Sequence, residues 1–141
     1  MKAFIIEGAS HSDLRGYLKF NNTFDLSLVK RMYTIENATT EFVRGWQGHR
    51  IEKRWFSVVN GSFEITLIKI NDWKNPHKDL EQRKFHLTSK KLDVLYVPEG
   101  HITSIRSVVE KSVLLIMADH VLDEIDDEYR FESNYFLTKN N

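Results

Sequence analysis

A single histidine, His49, stands among arginines in a short stretch able to bind an anion and to move a proton. The cations are Arg44, Arg50 and Arg54, and Trp46 lies among them. Guanidinium groups suit phosphate oxygens because their planar N–H forks match the geometry of those oxygens. An imidazole titrates near neutral pH and can act as a general base, while an indole face can stack on a base or sugar. The alternative interpretation is a basic strand edge with a surface histidine.

The same residues do not predict a metal centre. The chain has six histidines and no cysteine, which excludes thiolate ligands, disulfides and a cysteine nucleophile. We interpret four of the histidines as surface or strand-end residues: His11, His77, His86 and His120. His49 and His101 remain, but a metal site needs at least three converging ligands and no third one stands at a recognisable spacing. The acidic run from Asp123 to Glu128 is typical of a solvated face.

The cationic stretch runs into the strongest turn signal of the chain, Asn60-Gly61, with a β-prone run on either side. Such a pair predicts a two-residue hairpin, because both turn residues must reach positive φ. In that register Arg54 faces Leu67, and one face of the hairpin collects the apolar side chains Phe56, Val58, Phe63, Ile65 and Leu67. The apolar face must be the interior one, so alternation also points Arg54 inward. An inward arginine needs a partner or a wet pocket; the alternative is a strand-end arginine that reaches solvent.

The elements that must position this stretch are further short strands. Runs rich in β-branched and aromatic residues, separated by turn signals, occupy residues 3–6, 17–20, 28–35, 62–70, 85–87, 94–97, 102–109 and 113–117. Many short strands at close spacing predict an all-β sandwich or barrel. Residues 119–136 mix acids with aromatic side chains and allow a short helix that caps the barrel.

Length and composition narrow the class of protein. A chain of 141 residues is most simply one domain, spanning residues 1–141, with one hydrophobic core. Twenty basic residues balance twenty acidic ones, so no overall field favours nucleic acid or a membrane surface. No apolar run is long enough for a signal peptide or a bilayer span, which makes a cytoplasmic location the default expectation.

Several short motifs, in order along nearly the whole chain, resemble the cupin-fold dTDP-sugar 3,4-ketoisomerases, the WxcM-like family. The motifs are Asp13-Leu-Arg-Gly-Tyr-Leu18, Arg31-Met-Tyr33, Arg44-Gly-X-X-X-His49, Asn60-Gly61, Tyr96-Val-Pro98 and Asp126-Asp-Glu-Tyr-Arg-Phe131. The chain is also similar, more distantly, to the dTDP-4-keto-sugar 3,5-epimerases. The resemblance implies a double-stranded β-helix, the cupin jelly roll, in a homodimer with exchanged N-terminal strands.

The resemblance further implies a nucleotide-sugar isomerase or epimerase that acts on a dTDP-linked 4-keto-6-deoxyhexose for cell-surface polysaccharide synthesis. A base removes the proton beside the ketone, an enediol forms, and the proton returns at the neighbouring carbon. No metal and no redox cofactor is required. We expect His49 to move the proton and Tyr33 to act as the acid. We expect Arg44, Gln47, Arg54 and Trp46 to contact the substrate.

Three positions depart from the family patterns. The first histidine of the ketoisomerase motif, which is also the catalytic position of the epimerase motif, is Gln47, and an amide cannot act as a base. The general cupin metal ligands fall on Arg54 and Thr103 as well, so three of four ligand positions are lost. A cation at Arg54 would repel a metal and attract an anion. The alternatives are therefore a non-catalytic cupin that binds a sugar nucleotide, a 3,5-epimerase-like enzyme, or a structural or interaction domain.

Overall fold

Residues 1–139 are described by a computed structural model, in which they form twelve β-strands and no helix. The strands are β1 (Phe4–Ile6), β2 (Ala9–Asp13), β3 (Gly16–Phe20), β4 (Arg31–Ile35), β5 (Val43–His49), β6 (Arg54–Asn60), β7 (Ser62–Lys69), β8 (Gln82–Thr88), β9 (Val94–Val97), β10 (His101–Ser107), β11 (Val113–Ala118) and β12 (Tyr129–Arg130). The described part of the chain offers no helix with the length and hydrophobicity of a membrane span.

Two five-stranded sheets form the body of the protein. The first sheet has the order β1-β9-β6-β11-β4 and the second has the order β12-β5-β10-β7-β8, while β2 and β3 make a separate ribbon. From β4 onward the chain passes back and forth between the two sheets, except that β7 and β8 are consecutive neighbours in the second sheet, and all recorded pairings are antiparallel. This alternation is that of a jelly roll, so the expected all-β double-stranded β-helix is confirmed.

The core lies between the two sheets, where side chains alternate inward along each strand. The residues expected on the apolar face are at most 2% exposed and share one cluster: Phe56, Val58, Phe63, Ile65 and Leu67. Each contributes about 1.5–3 kcal/mol through burial. Because alternation is a property of a single strand, this prediction holds even though the predicted strand pairing does not.

The hairpin predicted at Asn60-Gly61 is wrong. Strand β6 pairs with β9 and β11 in the first sheet, whereas β7 pairs with β8 and β10 in the second. The chain does bend here, but only Gly61 has positive φ, at +79°, while Asn60 still belongs to β6, so the bend is a corner between sheets and not the predicted two-residue turn. Hydroxyl groups outside the turn hold it: Ser89 Oγ accepts from the Gly61 N–H, and Ser112 Oγ from the Ser62 N–H.

Two smaller expectations also need correction. The strand expected over residues 28–35 begins only at Arg31, after a turn. The short helix allowed in residues 119–136 does not form; the segment contributes β12, whose Tyr129 and Arg130 pair with Gly48 and Gln47 of β5. The tail is held in this extended path because Phe131 exchanges backbone hydrogen bonds with Trp46.

Candidate active site

A cavity of about 400 Å³ opens between the two sheets. Strands β4, β5, β6, β9, β10, β11 and β12 all contribute to its wall. Five of the six site residues predicted from the sequence line it: Tyr33, Arg44, Gln47, His49 and Arg54. The fold therefore brings the proposed base, the acid and three proposed substrate contacts to one concave surface.

An irregularity in β5 aligns three of these side chains. Opposite strand β10, Gln47 pairs with Thr103 and Arg44 pairs with Ile105, so three steps of β5 match two steps of β10. Simple alternation would place Arg44 and Gln47 on opposite faces of the sheet. The extra residue is a β-bulge, which restores Arg44 to the face of Gln47 and His49.

Trp46 is the predicted site residue that the structure does not bring to the cavity. It packs on the opposite side of β5 in a separate apolar cluster with Ile68, Ile102 and Phe136. Its ring lies edge-on to Phe136, with centroids 5.5 Å apart. The expected substrate stacking by Trp46 is therefore corrected to a packing role that anchors the tail against β5.

Gly48 allows β5 and β10 to approach closely beside the cavity. A Cβ atom at this position would lie 2.2 Å from the carbonyl oxygen of His101 and 2.5 Å from the Cα of Ile102. These are backbone contacts that a rotamer change cannot relieve. Only a glycine between Gln47 and His49 therefore allows β5 to lie this close to β10 beside the cavity.

His49 is 8% exposed, and neither ring nitrogen has a hydrogen-bond partner among the described residues. Its Nδ1 lies 3.6 Å from Glu52 Oε2 and 3.9 Å from Asp127 Oδ2. Burial, followed by the positive charge of Arg54, lowers the pKa of His49 to about 4, and Asp127 opposes this only in part. The ring is thus neutral at pH 7 and has a lone pair free to accept a proton.

Glu52 and Asp127 support His49, and both were missed in the sequence. Asp127 is 4% exposed, although it sits in an acidic run interpreted as a solvated face. Its carboxylate accepts hydrogen bonds from the backbone N–H groups of Arg50, Ile51 and Glu52. It therefore fixes the loop between β5 and β6. Only its place in the tail motif Asp126–Phe131 hinted at a role.

Arg54 points into the cavity, as alternation predicted, and its side chain is 12% exposed. It donates a hydrogen bond to the hydroxyl of Tyr33, and its Nη2 lies 3.6 Å from Glu52 Oε1. Arg31 Nη2 lies 3.2 Å from the same carboxylate oxygen. Burial raises the pKa of Tyr33, with the two arginines opposing the shift, so its phenol is protonated at neutral pH.

The trio His49, Glu52 and Asp127 has the composition of a metal-binding group, with one ligand atom of each within 4.8 Å of the others. Their bonding does not fit a metal. Two guanidinium groups form ion pairs with Glu52, and three backbone N–H groups donate hydrogen bonds to the Asp127 carboxylate. A divalent cation at His49 would stand beside the charge of Arg54, which repels it. The arrangement fits a histidine held between opposite charges.

The cavity mouth is polar and carries exposed cations. Arg44 and Arg130 both line it, and the tail strand also supplies Glu128, which accepts hydrogen bonds from Gln47 and Arg130. Sequence reasoning did not single out Arg130 or Glu128. The mouth can therefore hold an anionic group against arginines, while the interior presents the neutral imidazole and the phenol.

The family model described as FdtA: WxcM-like, C-terminal matches residues 1–140 of this chain. Among proteins of curated function, none matches the sequence significantly. A solved structure of a histidine-to-asparagine mutant of the 3,4-ketoisomerase QdtA from Thermoanaerobacterium thermosaccharolyticum, in complex with TDP-4-keto-6-deoxyglucose, is 26% identical to this chain. The match covers 95% of this chain and 91% of that chain, with a TM-score of 0.70.

Two further solved structures share the fold at lower identity. The WlaRB TDP-quinovose 3,4-ketoisomerase from Campylobacter jejuni is 23% identical, with 94% of this chain and 95% of that chain covered and a TM-score of 0.64. A dTDP-4-dehydrorhamnose 3,5-epimerase from Bacillus anthracis with TDP and PPi bound is 15% identical, with 94% and 79% covered and a TM-score of 0.74.

Proposed function

The chain belongs to the WxcM-like, C-terminal family, and we propose that it is an isomerase or epimerase of a dTDP-linked 4-keto-6-deoxyhexose in polysaccharide sugar biosynthesis. The observation that carries this proposal is the buried His49, with both ring nitrogens unpaired, on the wall of a cavity of about 400 Å³. The similar QdtA structure, 26% identical, is a 3,4-ketoisomerase in complex with TDP-4-keto-6-deoxyglucose.

His49 is the proposed base. A ketone acidifies the hydrogen on the adjacent carbon, and a neutral imidazole can remove it. The protonated ring that results lies within 4 Å of the carboxylates of Glu52 and Asp127, which stabilise its positive charge. The same imidazolium then returns the proton at the neighbouring carbon, so His49 ends the cycle neutral.

Arg54 and Tyr33 are the proposed stabilisers of the enediolate. The developing negative charge on the keto oxygen needs donors already aimed at it. The Arg54 guanidinium donates a hydrogen bond to the Tyr33 hydroxyl, and both groups line the same cavity as His49. Arg44, at the mouth, is the proposed contact for the diphosphate, and Gln47 for a sugar hydroxyl.

One observation favours the alternative of a binding protein without catalysis. Gln47 replaces a motif histidine, and its amide nitrogen donates to Glu128 of the tail. That contact ties the tail to β5 but supplies no base. A cupin that binds a sugar nucleotide without converting it would need the arginines and the cavity, but it would not need a second histidine at this position.

Incubation with dTDP-4-keto-6-deoxyglucose in deuterated water, followed by NMR, tests the proposal. We expect deuterium at C3, together with C4 for a 3,4-ketoisomerase or C5 for a 3,5-epimerase. A His49→Asn variant should lose the exchange, while His77→Gln, which alters an exposed histidine, should retain it. Calorimetric binding without exchange would identify the binding protein, and neither binding nor exchange would refute both functions.

The ribbon of β2 and β3 supports a homodimer as part of this proposal. It pairs with neither sheet and exposes Leu14, Tyr17 and Leu18. A second copy would cover these apolar side chains. Light scattering should report a dimer for the wild type and a monomer for Tyr17→Glu/Leu18→Glu. A Leu122→Glu control, at a similarly exposed leucine, should leave the mass unchanged. The single domain over residues 1–141 and the cytoplasmic location stay predictions.

A further inference from the structure

A second histidine stands directly opposite His49. In the antiparallel pairing of β10 with β5, His101 and His49 are register partners. Side chains of directly opposed residues project from the same face of a sheet, with Cβ atoms about 4.5–5.5 Å apart. Both residues line the cavity, and both are buried. The site therefore contains a cross-strand pair of imidazoles.

The surroundings of His101 determine which of its nitrogens carries the proton. Nδ1 lies 3.1 Å from the carbonyl oxygens of Pro98 and of Glu99. Carbonyl oxygens only accept hydrogen bonds, so Nδ1 must be the donor. Nε2 therefore holds the lone pair, and no described residue hydrogen-bonds to it. Burial lowers the pKa of His101, which keeps this tautomer neutral.

A structural role alone does not require an imidazole at this position. Capping the turn at Pro98 and Glu99 takes one N–H donor, which an asparagine side chain could supply from nearly the same place. What an imidazole adds is an acceptor at the end of the side chain, on a residue that lines this cavity and also a neighbouring cavity of about 420 Å³ beside Lys69 and Arg83. Gln47, on the same wall, has no group that can take up a proton.

We propose that His101 is a second proton-transfer residue, which moves a proton between the two sugar oxygens while His49 moves the proton between carbons. This inference rests on the proposed isomerase function. In this proposal a side chain of the protein carries out the oxygen-to-oxygen transfer, and the two opposed histidines divide the proton transfers between them.

The reaction balances with these two groups. His49 takes the C3 proton; the electron pair of that bond forms the C3–C4 double bond, and the ketone oxygen becomes an oxyanion. Nε2 of His101 takes the proton of the 3-hydroxyl and delivers it to that oxyanion on C4. The C3–O bond then becomes the new carbonyl, and C4 takes the proton back from His49. The product is the 3-keto, 4-hydroxy isomer, and no oxidant or reductant takes part.

The test separates the carbon step from the oxygen step. His101→Asn retains a donor for the turn carbonyls and removes the acceptor at the cavity. In deuterated water with dTDP-4-keto-6-deoxyglucose, this variant should still exchange the C3 hydrogen within about threefold of wild type. Its formation of the 3-keto product should fall on the order of 100-fold, the usual contribution of a positioned proton-transfer group. His49→Asn should lose both signals.

A Ser104→Ala variant is the matched control, because it changes a β10 side chain one step away from the cavity-facing series of His101 and Thr103. It should retain both signals. His101→Gln carries the same expectation as His101→Asn and serves if that variant does not fold. Equal loss of exchange and product in the His101 variants, or no loss of either, would overturn the role of His101. Absence of both signals in the wild type would instead overturn the proposed function.

Discussion

Acidification should destabilise the protein through His49, and the size of the effect follows from its burial. The pKa of His49 falls from an ordinary 6.5 to about 4 in the folded chain. The unfolded chain therefore binds the proton first as the pH drops. The stability contributed by this residue is complete above pH 6.5 and is lost progressively down to about pH 4. A difference of 2.5 between the two values corresponds to about 3 kcal/mol.

Urea unfolding at a series of pH values measures this loss. Trp46 and Trp55 are buried, so tryptophan fluorescence reports the transition. Other groups also titrate over this range, and comparison with His49→Asn removes their contribution. The free energy of unfolding of wild type minus that of the variant should fall by about 3 kcal/mol from pH 7 to pH 4. Constant m-values would show that the denatured state has not changed.

A variant that removes no titratable group provides the control for this experiment. The difference between wild type and Ser104→Ala should stay constant over the same pH range, because a serine hydroxyl does not titrate there. The reasoning would be refuted if the free energies of unfolding of wild type and His49→Asn changed with pH in parallel, to within about 0.5 kcal/mol. That margin is the effect of an ordinary surface substitution. Protonation of His49 would then cost the same in the folded and unfolded chain.

Three further outcomes follow from the contacts of the site. Asp127→Asn should lower the free energy of unfolding by about 3 kcal/mol in urea titrations, because the buried carboxylate accepts hydrogen bonds from three backbone N–H groups. Asp126→Asn, at the exposed neighbouring residue, should change the free energy of unfolding by less than about 0.5 kcal/mol. Gly48→Ala should cost about 3 kcal/mol by thermal unfolding, since the new methyl group would lie 2.2 Å from the His101 carbonyl oxygen. Arg44→Ala should weaken TDP binding about tenfold in calorimetry through the lost charged contact, with the fold unchanged; unchanged affinity would remove Arg44 from the binding site.

The fold class and the interior faces of the strands could be predicted from the sequence. Alternation with a period of two is local, so Phe56 and Phe63 could be assigned to the core without knowing their partner strands. The same local rule correctly turned Arg54 inward. The positive φ of Gly61 was also predicted, since glycine adopts it readily, whereas the positive φ expected at Asn60 is wrong.

Strand pairing could not be predicted in this way. The hairpin at Asn60-Gly61 was wrong because a tight turn does not decide whether the following strand returns along its predecessor or crosses to a facing sheet. That choice depends on β9, β10 and β11, which come later in the chain and compete for the same edges. Pairing is a global outcome of burying both sheets together.

The sequence by itself determined the type of protein and the stretch that bears the chemistry, because the motif around His49 and the strand periodicity are both local. Only the tertiary structure decided what surrounds His49. A bulge in β5 turned Arg44 to the cavity, and the pairing of β10 set His101 opposite the base. Asp127 reached the loop before β6 from 75 residues away. Such neighbours arise where distant segments fold together, since a buried charge or imidazole is tolerated only where partners from other strands surround it.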